Sequence, residues 1–245
     1  MTILLIDSGN SRIKWAWAHS GPDWLRHGAV EQGGDALSAA FAALPAPDRI
    51  VVSNVAGKAA AQRIEAACAL WKLPVEFITA QAGQCGVRNG YERPAQLGSD
   101  RWAALIAAWR HEQSACLVVN CGTAITVDAL SDQGEFLGGL ILPGLELMRR
   151  SLIASAAQLE SGHGVWREFP RNTADAMHSG AIQAAAGAIR RQYALLEARR
   201  EHAPTRCILS GGAADELQAH LDLPLLRMDD IVLRGLLIIA REKSK

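Results

Sequence analysis

Two short stretches of this 245-residue chain repeat one pattern, and the repeat limits the fold more than any other feature. Residues 2–6 are an apolar run that breaks at Asp7-Ser8-Gly9-Asn10, after which Arg12-Ile13-Lys14-Trp15-Ala16-Trp17 alternates strictly. The break is turn chemistry, and period-two alternation belongs to a strand with one buried face. Residues 2–17 therefore read as a β-hairpin with Ile13, Trp15 and Trp17 turned inward and Arg12, Lys14 and Ala16 on the other face. About 110 residues further on the pattern returns. Residues 116–119 are apolar, Asn120-Cys121-Gly122-Thr123 is a turn, and Ala124–Leu130 resumes strand character. Such self-similarity predicts a duplicated α/β domain, each copy opening with strand, tight turn and strand.

Between and after the hairpins, helical and strand signals alternate. Residues 57–71 carry Ile64, Ala67, Cys68 and Trp71 at helical spacing, and residues 99–112 carry the stripe Trp102, Leu105, Ile106, Trp109. Further helices are expected from Gly144 to about residue 159, over 174–200, and from Ile231 to the end; short strands are expected at 49–53, 75–79 and 207–209. The border falls near residues 113–115 with no Pro/Gly linker. The expectation is a first domain at 1–114 and a second at 115–245, packed around a cleft. Lys plus Arg and Asp plus Glu are both 25, so the net charge is zero. That balance argues against a partner bound through bulk electrostatics, whether nucleic acid or an anionic membrane. The five cysteines are scattered with no C-x-x-C, which reads as reduced thiols in a cytoplasmic protein. With no basic leader or long apolar stretch before Asp7, neither a signal peptide nor a membrane span is expected.

Two places carry chemistry. At Asp7-Ser8-Gly9-Asn10-Ser11 a buried strand delivers a carboxylate to its end, followed by a glycine turn. Such a turn can cradle phosphate oxygens while the carboxylate holds the accompanying Mg²⁺. Taken alone, it is equally the chemistry of an ordinary hairpin. The second copy around Gly122-Thr123 favours two turns gripping one polyphosphate, with Ser210-Gly211-Gly212 as a third glycine turn on the adenosine side. No Walker loop and no G-x-G-x-x-G competes. The other place is Gly98-Ser99-Asp100-Arg101, opening the 99–112 helix. It reads either as plain helix-start chemistry, with Ser99 as N-cap and Asp100 complementing the dipole, or as an acceptor and an anion ligand aimed into the cleft. The dipole is expected to hold the Asp100 pKa low, so that Asp100 takes a proton late in a loose phosphoryl-transfer transition state.

Taken in order, residues 7–14, Tyr91 with Pro94, Gly98-Ser99-Asp100-Arg101, Cys121-Gly122-Thr123-Ala124, Gly138-Gly139 with Pro143-Gly144, Thr173 with Ala176 and Gly180, and Ser210-Gly211-Gly212 resemble the motifs of the type III pantothenate kinases. These belong to the acetate and sugar kinase/Hsp70/actin superfamily. The resemblance runs from residue 7 to residue 212. It implies two ribonuclease H-like (actin-like ATPase) domains, each a mixed sheet flanked by helices, and ATP-dependent phosphorylation of pantothenate at the head of coenzyme A biosynthesis. By the same resemblance Asp7, Ser8, Gly9, Asn10, Ser11, Arg12, Ile13, Lys14 and Thr123 bind the ATP phosphates, with Asp7 on the Mg²⁺ side. Tyr91, Gly98, Ser99, Asp100, Arg101 and Thr173 hold pantothenate, with Asp100 as proton acceptor. The resemblance also implies a homodimer, in which the 174–200 helix buries its apolar side.

Two positions depart from the family pattern. Ser11 stands where Thr is usual and keeps the hydroxyl. Asn120 stands where many members have an Asp tied to K⁺ or NH₄⁺. A neutral amide offers that cation only a dipole, so a weaker dependence on it is expected. Three rival readings compete: a non-catalytic regulatory accessory protein on the same scaffold, a kinase of another small hydroxyl compound, and an RNase H-like nuclease. The retained set Asp7, Lys14, Asp100, Arg101 and Thr123 speaks against the first. The Gly-x-Asp-Arg helix start speaks against the second, and Asn120 in place of a carboxylate against the third.

Overall fold

A computed structural model describes residues 1–19, 24–155, 162–199 and 205–242. The N-terminal apolar run forms β1 (Ile3–Ser8), and the alternating run forms β2 (Arg12–Ala18), antiparallel in register from Ile3↔Ala18 to Ser8↔Ile13. β3 (Trp24–Glu31) continues the meander. After α1 (Ala36–Ala42) the chain crosses over to β4 (Arg49–Asn54), parallel to β1. α2 (Lys58–Cys68) runs into a 3₁₀ turn at Ala69–Trp71 and leads to β5 (Val75–Phe77), parallel to β4. The strand order is β3-β2-β1-β4-β5. A small hairpin follows, β6 (Gly83–Gln84) and β7 (Val87–Asn89), and then α3 (Ser99–Glu112).

The second half repeats this order. β8 (Cys116–Cys121) and β9 (Ala124–Leu130) form an antiparallel hairpin, and β10 (Glu135–Pro143) extends it. α4 (Leu145–Ser155) and α5 (Thr173–Glu197) follow. β11 (Arg206–Ser210) then lies parallel to β8, and after α6 (Ala214–Gln218), β12 (Leu225–Arg227) lies parallel to β11. The order β10-β9-β8-β11-β12 matches that of the first sheet strand for strand. Burial matches too: in both first strands the opening four residues are buried, the fifth partly so and the sixth buried. Asp7 and Asn120 are those fifth residues.

A strand that is apolar throughout needs cover on both faces. On one face Leu4, Ile6, Ile13, Trp15 and Trp17 meet Phe41 of α1 and Ile64 of α2. The other face is covered by the last helix, α7 (Ile231–Glu242), which packs on β1, β2 and β4. That is why Ala16 and Ala18 are buried, although alternation put Ala16 with the polar residues. In the second sheet, Leu117, Val119, Ile125 and Val127 pack against Ile182, Ala185, Ala186 and Ile189 of α5.

The chain divides into two compact units, Met1–His111 with Asp230–Lys245, and Glu112–Asp229. This corrects the 115–245 boundary, because α7 belongs with the first sheet. Ile231, Val232, Leu233, Leu236, Leu237 and Ile239 are all buried, and burial of such side chains is worth roughly 1.5–3 kcal/mol each. Gly235 comes so close to the backbone of Ala103 on α3 that a Cβ there would collide with it. Sequence reading also missed β3, α1, the β6–β7 hairpin and β12. The expected helix ends near residues 159 and 200 lie outside the described residues.

Candidate active site

The first turn closes with Gly9 N–H donating to Arg12 O at 3.0 Å. The second closes the same way, Gly122 N–H to Ala124 O at 3.0 Å. Neither glycine has a positive φ, and a Cβ at either would meet only one backbone oxygen, at 3.5 Å and 3.6 Å, in ordinary contact. The fold itself therefore does not require glycine at these two places. What a missing side chain provides there is close approach to the turn from outside. The glycines around the turns are different. A Cβ on Gly144 would collide with the oxygens of Gly122 and Thr123, and Gly211 has φ +97° and lies against Cys121.

Of the residues expected to meet phosphate, Asn10, Ser11 and Arg12 are exposed at the first turn. Ser8 is fully buried, and its Oγ accepts from Gln32 Nε2 at 3.0 Å. Ile13 lies in the core at 2% exposure, so only its backbone could reach a ligand. Asp7 and Lys14 are direct partners across β1 and β2, which puts both side chains on one face. Lys14 Nζ reaches Asp230 Oδ1 at 3.0 Å.

Asp7 is pushed up to about 7, first by burial, then by Asp100, with Lys14 opposing and Asp230 adding. The Asp7 carboxyl, from β1, thus feels the charges of Asp100 and Asp230 from two other stretches of the chain, with Lys14 opposing them. Asp230 went unnoticed in the sequence. It is one of four described non-glycine residues with positive φ (+52°), immediately before α7. A polar pair ahead of an apolar run gives no sign of that contact.

At the start of α3, the Trp102 N–H donates to Gly98 O at 3.0 Å, so Gly98 and not Ser99 occupies the N-cap position. The Ser99 hydroxyl is instead paired with Ser53 Oγ at 2.8 Å. Asp100 Oδ1 accepts from the Arg101 N–H at 2.8 Å, and a Cβ at position 98 would come within 2.5 Å of it, so any side chain there would displace the carboxylate. The expected low pKa of Asp100 is corrected as well. Burial raises it, outweighing the Arg101 N–H, the Arg101 charge and its own backbone N–H. Arg101 is 5% exposed, donates from Nη1 to Tyr91 Oη at 3.0 Å and lies 5.7 Å from the Tyr91 ring centroid.

In the second unit, Thr123 is exposed at the tip of its turn and Asn120 pairs with Thr126 on β9 and Ser210 on β11. Asp7, in the equivalent place, pairs with Ser53 on β4. Arg227 donates from Nη2 to Gly211 O at 3.2 Å and steadies the third glycine turn. Burial pushes the Cys121 thiol up to about 12, so it is no nucleophile at neutral pH. Thr173 is the first residue of α5, behind Asn172, whose side chain accepts from the Asp175 N–H at 2.8 Å.

The family model for type III pantothenate kinase matches residues 3–195. The type III pantothenate kinase of Nitrosospira multiformis is 52% identical over 244 residues, covering 99% of this chain and 92% of that protein. The one from Aromatoleum aromaticum is 49% identical over 244 residues, covering 99% of both. Among solved structures, a Baf family transcriptional activator from Campylobacter jejuni superposes with a TM-score of 0.63 at 21% identity, covering 98% of each chain. A ROK family protein from Streptococcus pneumoniae, solved with sucrose, gives 0.53 at 16% identity and complete coverage of both chains. The activator of the 2-hydroxyisocaproyl-CoA dehydratase from Clostridium difficile, with bound ADPNP, gives 0.52 at 13%, covering 100% of this chain and 97% of that one. These likenesses are of fold, the twin mixed sheets of actin-like ATPases and sugar kinases. The regulatory alternative finds no support among the curated relatives, which carry the kinase name. With relatives this similar along nearly its whole length, the chain belongs to the type III pantothenate kinase family.

Proposed function

We propose that this chain transfers the terminal phosphoryl group of ATP to the primary hydroxyl of pantothenate, giving 4'-phosphopantothenate, the first step of coenzyme A biosynthesis. One observation carries the assignment of the site: the Asp7 carboxyl at the end of β1, facing Lys14 across the hairpin, feels the charges of both Lys14 and Asp100 at the start of α3. Asp100 is then the acceptor of the hydroxyl proton. Its Oδ1 is fixed by the Arg101 N–H, and Oδ2 is offered to the alcohol. Burial keeps the carboxylate basic enough to take the proton as the phosphoryl group moves.

Lys14 supplies positive charge on the phosphate side. The turns at Gly9 and Gly122-Thr123 admit phosphate oxygens against backbone N–H groups. A carboxylate that feels two others of like charge suits a divalent cation, and Asp7 is the residue that would hold Mg²⁺, which when bound neutralises phosphate charge. Tyr91, braced by Arg101, forms a wall for pantothenate together with Gly98, and the resemblance assigns Thr173 to the same substrate. Ser99 contributes by locking the mouth of α3 to Ser53.

The monovalent cation (K⁺ or NH₄⁺) would lie by Asn120, with weaker dependence than an Asp gives. Homodimerisation is supported by exposed apolar residues of the second unit, among them Leu195 of α5 and Ile141 of β10, at 41% and 66% exposure. No helix among the described residues is long and apolar enough to cross a membrane, which suits a cytoplasmic enzyme.

The test is ATP consumption by the purified protein with and without pantothenate, alongside Asp100→Asn. Turnover is expected only with pantothenate, and the variant should lose roughly 10²–10⁴ in kcat with little change in either KM. Turnover without pantothenate, or an unaffected variant, overturns the proposal.

A further inference from the structure

Gln32, just past the end of β3, touches the first turn at three points. Its Nε2 donates to Ser8 Oγ at 3.0 Å and to Gly9 O at 2.7 Å, and its backbone N–H donates to Ser11 O at 3.0 Å. The amide can face only one way. Arg63 of α2 donates from Nη2 to Gln32 Oε1 at 2.8 Å. Flipped, the amide would set its oxygen against the Gly9 carbonyl and its NH₂ against a guanidinium, so both ends would face like partners. Arg63 itself is exposed, and among the described residues its hydrogen bond toward the turn runs through this amide.

We propose that Gln32, oriented by Arg63, is a positioning residue for nucleotide phosphate: it holds the Ser8–Ser11 turn in the shape that receives it. The inference rests on the reading of that turn as a phosphate site and adds to it a two-residue support. A turn allowed to wander must be ordered when the nucleotide binds, and that ordering cost appears as weaker binding. The support bears on ATP and not on pantothenate, because neither residue touches Tyr91 or the 98–101 segment.

The experiment measures KM for both substrates and the melting temperature in Gln32→Ala, Gln32→Glu, Arg63→Ala and the Gln32→Ala/Arg63→Ala double variant, with Lys14→Ala as reference. Loss of the two side-chain bonds in Gln32→Ala should raise KM for ATP about tenfold, with KM for pantothenate within about twofold. Gln32→Glu keeps the Arg63 partner but turns a second acceptor onto Gly9 O, and should be at least as impaired. Arg63→Ala should cost about two- to threefold. The double variant should be no worse than Gln32→Ala alone, because Arg63 acts through the amide.

An unchanged KM for ATP in folded Gln32→Ala, an equal rise in both KM values, or additive effects in the double variant would overturn the proposal. If Lys14→Ala also leaves KM for ATP untouched, the phosphate reading of the hairpin fails. If Lys14→Ala raises it and the Gln32 variants do not, only this inference fails.

Discussion

Asp7 carries the sharpest conflict between stability and chemistry in the chain. Its carboxyl is raised from the ordinary range near 4 to about 7, burial being the main cause and Asp100 the next. The folded state then holds the proton more tightly than the unfolded state does. The stabilisation is present in full below about pH 4 and is lost as pH rises through about 7. Asp7→Asn should abolish kinase activity yet remove this decline, gaining roughly 2–4 kcal/mol above pH 7. Melting temperature measured from pH 5 to 8.5 checks it: a variant with the same slope as the parent contradicts the account. Asp7, Lys14, Asp100 and Arg101 were legible in the sequence because each sits beside a local signal, a strand end, an alternating run or a helix start. Gln32 and Asp230 were not. Gln32 lies in a polar glycine-rich loop, and Asp230 meets Lys14 across 216 positions. Nothing local distinguishes either from a solvated residue. The helix dipole alone argues for a low Asp100 pKa, and burial is the larger effect.

The two hairpins were legible as elements because identical patterning gave identical burial. The turns inside them separate two uses of glycine. Gly9→Ala and Gly122→Ala add a methyl into ordinary contact distance, so melting should shift by only about 2 °C. KM for ATP, by contrast, should rise about tenfold or more if the methyl stands where a phosphate oxygen belongs. Gly144→Ala is the control: a collision with the neighbouring turn should destabilise by several kcal/mol whatever the ligand. Loss of folding in Gly9→Ala would show that the turn needs its glycine for shape. Elements that sequence reading missed have physical reasons. β3 is an edge strand exposing Leu25, Arg26 and His27, so its alternation is blurred. β6 and β7 are two and three residues long.

For the molecule as a whole, strand order repeats but sequence order does not close on itself, since the first unit takes its last helix from residues beyond the second. Periodicity could identify α7 as a helix, but not which sheet it would cover, because both sheets offer apolar faces. Deleting residues 230–245 should expose Ile3, Leu5, Ala16 and Ala18 and remove the partner of Lys14. The expected product is aggregated or unfolded in its N-terminal part, and hydrogen exchange over residues 1–111 would read this out. Native-like protection there would refute it. On the ribosome the N-terminal unit therefore cannot seal until α7 has been made. A stalled or truncated nascent chain would retain every residue of the phosphate hairpin yet present unsealed sheet to chaperones and proteases. Only a chain that includes α7 can close the sheet that carries the phosphate hairpin.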